Sequence, residues 1–301
     1  DPEILTELAS SSIQLNSWGV TFVAPNLKEL RLPFKKKSEK PQTAPGLISK
    51  RIQFDDFMIQ KVKNEKLIEL IGEVDITSYK KTNNGWKLID TTGEIEIECK
   101  LLVVANGANS YFSRHISNIP IEKNHCCAGL RAYYKNVSGM DHENFIEIHF
   151  YKDFIPGYFW IFPLPNGEAN EGVGMRSDVV GKNKINLKEE MLRIIESYPH
   201  LKERFKNAEM VDKIRGYNLP LGSKKRKLSG DNYILLGDAA SLIDPFTGEG
   251  IGNAMLSSMC ALDIIVEGHH SKIYSADSLK QYDKAVYKRL GPELRLSSRM
   301  Q

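Results

Sequence analysis

The sequence predicts a mixed α/β (α+β) fold interleaved with an antiparallel sheet, on three observations. Tyr233 to Leu236 form a short apolar run that stops at Gly237 and is followed by a glycine loop and an apolar helical pattern from about Ile251. That order reads as strand, tight turn, loop and helix. Leu101 to Ala105 is a second continuous apolar run, the pattern of a strand buried on both faces. Asn144 to Tyr151 and Tyr158 to Phe162 instead alternate, as half-buried antiparallel strands do.

At 301 residues, with 41% hydrophobic and 26% charged residues, the chain has room for one or two domains and excludes disorder and fibre. A net charge of +3 is small for this length and does not suggest a nucleic-acid partner. No apolar run approaches the ~20 residues that span a bilayer, and Asp1-Pro2-Glu3-Ile4-Leu5 does not open a signal peptide. The expected compartment is cytoplasmic, with peripheral membrane contact as the alternative. Cys99, Cys126, Cys127 and Cys260 lack Cys-x-x-Cys spacing, which predicts reduced thiols. His125 beside the adjacent pair has no second ligand cluster, so no metal is expected.

In chain order, residues 1 to 50 read as short strands and loops broken by Pro25, Pro33, Pro41 and Pro45, with Lys35-Lys36-Lys37 and Ser38 to Lys40 as a solvated hairpin tip. A helix starts near Phe54, since Phe54, Phe57, Met58 and Val62 share one face. Strands follow at Ile68 to Ile76, at Trp86 to Asp90 after the Asn83-Asn84-Gly85 turn, and at Glu94 to Cys99. Further strands are expected from Gly129 to Val137 and across Asn144 to Tyr151. There Ile146, Ile148 and Phe150 alternate with Glu147 and His149, which predicts a solvated or cross-strand-paired His149. Arg131 reads either as an anion site or as a strand-surface residue. Tyr158, Trp160 and Phe162 share a strand face and form an aromatic wall. Residues 187 to 206 give a helix interrupted at Pro199, and Lys224 to Lys227 an exposed loop, with an anionic lipid or a pyrophosphate as its alternative partner. Ala254 to Val266 continues the apolar helix, and an amphipathic helix runs from Ser278 to the end.

The chemistry concentrates around Asp238, at the carboxyl end of a buried strand, where a short acid suits the hydroxyls of a sugar or ribitol chain. After Pro245, the glycines Gly248, Gly250 and Gly252 let backbone approach a flat ligand. The free N–H groups from Ile251 onward favour negative charge, such as develops on the pyrimidine edge of a reduced flavin. Gly237-Asp238-Ala239 followed by Pro-x-x-Gly-x-Gly-Ile-x-Asn-Ala, ending at Asn253-Ala254, resembles the second FAD motif of the para-hydroxybenzoate-hydroxylase-like flavoproteins. Arg51, three residues before Phe54-Asp55, holds the place of the family arginine beside the flavin pyrophosphate. Asn106-Gly107-Ala108-Asn109-Ser110, with Arg114 following, resembles the family's Asp-Gly element near flavin and reductant. Asn106 replaces the usual Asp, which keeps hydrogen bonding and removes a charge.

Within that group, Tyr158-x-Trp160-x-Phe162-Pro163, eight residues, then Gly172-Val173-Gly174 resembles the substrate-pocket motif of the geranylgeranyl reductases. The strand–Gly-x-Gly-x-x-Gly–helix that normally opens such proteins does not occur, and Gly19 stands alone. With no opening methionine either, the chain is expected to begin some tens of residues inside its parent protein. The resemblance implies an FAD-binding domain from 48–118 and 228–301 and a substrate-binding β-sheet domain from 1–47 and 119–227. It places FAD on Arg51, Asn106, Gly107, Asp238, Pro245, Gly248, Gly250, Ile251, Gly252 and Asn253. A lipophilic substrate falls to Tyr158, Trp160, Phe162, Gly172 and Gly174. The activity implied is reduction of carbon–carbon double bonds in an isoprenoid lipid or quinone side chain, with NAD(P)H or another reductant as donor. No proton donor stands out. The alternatives are a flavin monooxygenase or halogenase of the same fold, and a non-catalytic lipid-binding or electron-carrying remnant.

Overall fold

The computed structural model describes residues 2–35 and 44–301, so most of the basic hairpin tip, Lys36 to Lys40, lies outside the described residues. In chain order the elements are α1 (Pro2–Ser10), β1 (Gln14–Ser17), β2 (Gly19–Val23), β3 (Glu29–Pro33), β4 (Gly46–Ser49) and α2 (Arg51–Lys63). Next come β5 (Ile76–Thr82), β6 (Gly85–Asp90), β7 (Glu96–Cys99), β8 (Leu102–Val104), β9 (Cys126–Lys135), β10 (Ile146–His149), β11 (Tyr158–Pro163) and β12 (Glu168–Arg176). The chain continues through α3 (Ser177–Asn183), α4 (Leu187–Ser197), α5 (Pro199–Phe205), β13 (Glu209–Met210), β14 (Arg215–Pro220), β15 (Ser229–Gly230) and β16 (Tyr233–Leu235). It ends in α6 (Ile251–Ser271), α7 (Ala276–Arg289) and α8 (Gly291–Met300). Two compact units result: unit 1 is Asp1–Leu70, Ala128–Met175 and Val179–Tyr217, and unit 2 is Ile71–Cys127, Arg176–Asp178 and Asn218–Gln301.

Unit 1 is built on a sheet in the order β13-β9-β12-β11-β10-β2-β3, with β14 also pairing β9. β10 runs parallel to β2 and antiparallel to β11. One face is roofed by α4 and α5. Asn186 caps α4 by accepting from the N–H groups of Lys188 and Glu189, and Leu187, Met191, Ile194 and Ile195 then fall on one buried stripe. They pack with Leu201 and Phe205 of α5 onto Phe159, Ile161, Val173 and Met175 of the sheet.

Unit 2 has a three-stranded sheet in the order β15-β16-β8, in which β16 and β8 are parallel, and a meander β5-β6-β7. Phe112 sits edge-on to both Trp86 and Tyr233, with centroids 5.0 Å apart in each pair. Leu279, Tyr282 and Val286 of α7 complete this core, and the Tyr282 hydroxyl donates to the Leu235 carbonyl at 2.7 Å.

Several expectations are corrected. The first segment is a helix, α1, with Leu8 buried one turn beyond Ile4. The strand expected at Ile68 to Ile76 lies later, at Ile76–Thr82, because the hairpin turn pairs Lys81 with Trp86 and Tyr79 with Leu88. Leu67, Ile68, Leu70 and Ile71 are left exposed. β8 is not buried on both faces: Val104 is buried, whereas Val103 is 40% exposed. The Lys224 to Lys227 loop is not wholly exposed, since Arg226 tucks in, donating to the Leu221 and Lys224 carbonyls and facing Glu122. α2 starts at Arg51 rather than Phe54, with Phe54, Phe57, Met58 and Val62 half-buried as the spacing predicts. α6 is long and apolar enough by length and composition to cross a membrane, at a mean hydropathy of 1.2. The sequence shows no unbroken run there because Asp263 and Glu267 interrupt it.

Candidate functional site

Parallel pairing of β8 with β16 brings two carboxyl ends together, the position at which open α/β sheets place ligands. Beyond β16 the chain turns at Gly237-Asp238, and beyond β8 it passes into Asn106-Gly107. The Leu236 N–H donates to the Val104 carbonyl at 2.9 Å, and the Ser113 hydroxyl to that of Ala239 at 2.7 Å. Ala108, Ser110 and Arg114 thus share with Asp238 a cavity of about 20 Å³, room for one water. Arg114 donates to the Ala108 carbonyl and Asn109 Oδ1, while its buried Nε has no partner among the described residues.

Gly237 adopts φ +54°, and a Cβ there would lie 2.8 Å from that of Ala254 in the first turn of α6. A side chain would therefore be strained and would also push the helix away. Gly250, which precedes α6, has the Asp238 carboxylate 3.1 Å from where its Cβ would be. Acid and helix start therefore stand side by side around a backbone without side chains, the cradle that a ribityl chain and a flat ring require. The loop between them is organised by Asp244, which sequence reasoning missed. Its buried carboxylate accepts the N–H groups of Phe246 and Thr247 and the Thr247 hydroxyl at 2.9–3.0 Å. An acid followed two and three residues later by its own N–H partners is an Asx turn, a signal present in Asp244-Pro245-Phe246-Thr247. Pro245 and Gly248, the latter at φ +72°, belong to that turn.

Two placements qualify the helix start. Glu249, exposed, caps it by accepting the Gly252 N–H at 2.6 Å, so an anion approaching Ile251 and Gly252 would have to displace this carboxylate. Asn253 is buried and its amide donates to the Leu242 carbonyl at 2.7 Å, holding the preceding loop. Arg51 belongs to unit 1, where its guanidinium binds Asp55 at 3.1 and 3.2 Å. The other candidate cofactor residues belong to unit 2.

In unit 1, Tyr158, Trp160 and Phe162 do share one face, with successive ring centroids 6.0 and 6.1 Å apart. The glycines opposite explain how. A Cβ on Gly172 would fall 2.3 Å from Trp160 Cζ2 and 2.1 Å from the Leu130 carbonyl oxygen, and one on Gly174 would fall 3.4 Å from Tyr158 Cζ. Two glycines two residues apart on β12 clear the floor on which two rings lie. The indole Nε1 donates to Asn170 Oδ1 at 3.3 Å. A cavity of about 310 Å³ in unit 1 opens elsewhere, between Asp153 to Ile155, Met175, α3 and α4, and the wall does not line it.

On the opposite face the expectation of a polar surface fails. His149 is 2% exposed and Glu147 is 9% exposed. Glu147 receives His149 Nε2 at 2.9 Å and both terminal nitrogens of Arg204 at 2.6 and 2.8 Å, while Tyr151 bridges His149 and His200. Burial raises the Glu147 pKa, and the bonds from His149 and Arg204 outweigh it and hold the carboxyl below its usual range. Glu171, fully buried with neither oxygen bonded among the described residues, has its pKa pushed well up by burial.

Solved structures share this fold. A geranylgeranyl bacteriochlorophyll reductase-like protein from Thermoplasma acidophilum superposes with a TM-score of 0.81 at 23% identity, covering 98% of this chain and 75% of that one. A flavin-dependent brominase superposes at 0.72 and 19% identity, covering 98% and 82%. The fold is therefore that of the FAD-dependent oxidoreductases and halogenases. No protein-family model matches the chain. Among curated proteins, a digeranylgeranylglycerophospholipid reductase from Methanococcus vannielii is 31% identical over 271 residues, 88% of this chain and 64% of the relative. Another from Thermoplasma volcanium is 26% identical over 277 residues, 88% and 68%. The chain thus spans about two thirds of the length of these relatives; it is similar in sequence to geranylgeranyl reductases and shares the fold of FAD-dependent oxidoreductases.

Proposed function

We propose that the chain forms the main part of a reductase that saturates carbon–carbon double bonds in the prenyl chains of an isoprenoid lipid. The observation that carries this reading is the wall of Tyr158, Trp160 and Phe162 seated over Gly172 and Gly174. Such a wall binds hydrocarbon by burial alone, at ~0.8 kcal/mol per CH₂. The lipid substrates named for the curated relatives support it. Bound, reduced FAD would supply a hydride to one carbon of the double bond while a proton from solvent or an acid is taken up at the other, and NAD(P)H or another reductant would return two electrons to the flavin. In this reading residues 48–118 and 228–301 serve the cofactor, and 1–47 and 119–227 serve the substrate.

The protein's own groups bind and orient. Asp238 accepts hydrogen bonds from the ribityl hydroxyls, Gly250 and Gly252 admit the ring, and Asn106 and Gly107 close the neighbouring strand end. The N–H groups at the start of α6 stabilise negative charge on the reduced ring. The wall holds the prenyl chain and excludes water. Peripheral contact with a lipid surface in the cytoplasm follows from where such a substrate resides.

Titration with FAD, followed by flavin absorbance and fluorescence, tests the cofactor half. Asp238→Ala weakens FAD binding by roughly tenfold or more, the worth of one or two hydrogen bonds. Unchanged affinity would remove Asp238 from the site. In turnover with a geranylgeranyl lipid, hydroxylated or halogenated product in place of saturated product would favour the monooxygenase or halogenase reading.

A further inference from the structure

On the roofed face of unit 1, one charge fixes every proton in a chain of four side chains. Glu147, held below its usual range, is ionised and can only accept. It accepts from both terminal nitrogens of Arg204 and, at 2.9 Å, from His149 Nε2, which therefore carries a hydrogen. In neutral His149 the lone pair is then on Nδ1, so the Tyr151 hydroxyl 3.3 Å away donates to it. With its own hydrogen committed, the Tyr151 oxygen accepts from His200 Nε2 at 3.1 Å. The direction is thus His200 to Tyr151 to His149 to Glu147. Glu147, His149 and Tyr151 are buried, whereas His200, on α5, is half-buried and keeps Nδ1 as its remaining lone pair.

A second arrangement satisfies the same four groups. With a hydrogen on both nitrogens, His149 donates to the Tyr151 oxygen, the Tyr151 hydroxyl turns to donate to His200 Nε2, and His200 keeps its hydrogen on Nδ1. The His149–Glu147 bond is unchanged and the other two links are reversed. The two arrangements differ by one proton. The surroundings disfavour a charge at either stop on the way. Burial, followed by repulsion from His149 and Arg204, lowers the His200 pKa. Burial raises that of Tyr151, which stays a phenol. His149 is the one histidine bonded directly to a carboxylate here. The neighbouring charges are engaged elsewhere: Arg204 also donates to the Ser138 carbonyl, and Asp153 accepts from Tyr198 and from Arg193 of α4. Glu171 of β12, raised by burial, offers no competing charge.

We infer that Glu147, His149, Tyr151 and His200 form a one-proton relay, a pH-sensitive switch that opens to water at His200 and ends at Glu147. A proton from solvent forms an N–H bond at His200 Nδ1, the Nε2 hydrogen passes to the Tyr151 oxygen, and the Tyr151 hydrogen passes to His149 Nδ1. One proton enters and none leaves. The positive charge rests on His149 against the Glu147 carboxylate, and His200 Nδ1 changes from acceptor to donor. Because all three links persist in both directions, α5 stays seated on the sheet while its surface hydrogen bonding changes. The relay lies on the face opposite Tyr158, Trp160 and Phe162, so it stands apart from the reductase reading.

NMR of the whole protein with isotope-labelled histidine, recorded from about pH 8 to about pH 5 across the ordinary histidine range, tests this. Imidazole nitrogen shifts separate the two tautomers and the charged form, and His149→Gln and His200→Gln assign the signals. At the alkaline end both rings carry their hydrogen on Nε2. On acidification His149 gains its second hydrogen and His200 moves from the Nε2–H to the Nδ1–H form in the same step. Amide exchange in Leu201 to Phe205, corrected for the intrinsic effect of pH, stays as slow at the acid end as at the alkaline end. Tyr151→Phe, which keeps the ring and removes the hydroxyl, uncouples the two histidines. The wild-type spectra decide the matter even if that variant does not fold. His149 with its hydrogen on Nδ1 at the alkaline end overturns the relay. So does a His200 that becomes charged while His149 stays neutral, or no change at either ring over the whole range. A coupled change that survives in folded Tyr151→Phe removes Tyr151 from the path, and loss of amide protection in α5 on acidification would make the cluster a latch that acid opens, not a relay.

Discussion

The two faces of the unit 1 sheet use the same strands for opposite purposes. On one face Glu147, His149 and Glu171 lie buried beneath α4 and α5, and on the other Tyr158, Trp160 and Phe162 form a half-buried aromatic surface without that roof. Alternation ordinarily sends polar residues to water and apolar residues to the core. Here β10 buries both sets, with Ile148 8% and Glu147 9% exposed, because Arg204 follows the glutamate inside and satisfies both of its oxygens. The lesson is that a strand's period tells which residues share a face, and a partner from a distant helix decides which face is the interior.

The largest expected effect breaks the polar side. Arg204→Met leaves Glu147 buried and without its cation, costing about 3–5 kcal/mol of stability in urea unfolding. Prenyl reduction per folded molecule stays near wild type. Trp160→Ala is the mirror experiment. It lowers kcat/KM for prenyl reduction by roughly 30-fold, about 2 kcal/mol of lost apolar contact. Because the ring is only half-buried, unfolding free energy moves less than in Arg204→Met. If the two variants exchange these signatures, the faces have been assigned the wrong way round.

The smallest effect is a pH slope. The Glu171 carboxyl is raised by burial, so its favourable protonated state is shared with the unfolded chain only below the ordinary glutamate range, about pH 4.3. As pH rises beyond that, the unfolded chain ionises while the folded one stays neutral, and stability falls until the folded pKa is reached. Glu171→Gln removes this slope, and its advantage in thermal unfolding grows from pH 4 towards neutrality. Parallel curves for the two proteins would mean that Glu171 is ionised in the fold.

Much of the arrangement was legible because it rests on local rules. Tyr158, Trp160 and Phe162 announce their common face by spacing, Gly172 and Gly174 announce the room for their rings, and Gly237-Asp238 announces a turn after a strand. What was hidden depends on long-range partners. Nothing near His149 reveals that α5 will cover it, and nothing near Val103 reveals that β8 will show one side to solvent. Arg226 reads as part of a basic run until the Leu221 carbonyl and Glu122 claim it. The Glu249 cap was locally legible and overlooked, since an acid three residues before a first-turn N–H is a familiar partner for it.

The most direct test is mass spectrometry of a geranylgeranyl lipid after incubation with the protein, FAD and dithionite in the absence of oxygen. The account predicts products carrying two added hydrogens per saturated double bond, formed by the wild type and strongly reduced in Trp160→Ala. Recovery of the unsaturated lipid unchanged, from protein shown by absorbance to hold reduced flavin, would contradict it.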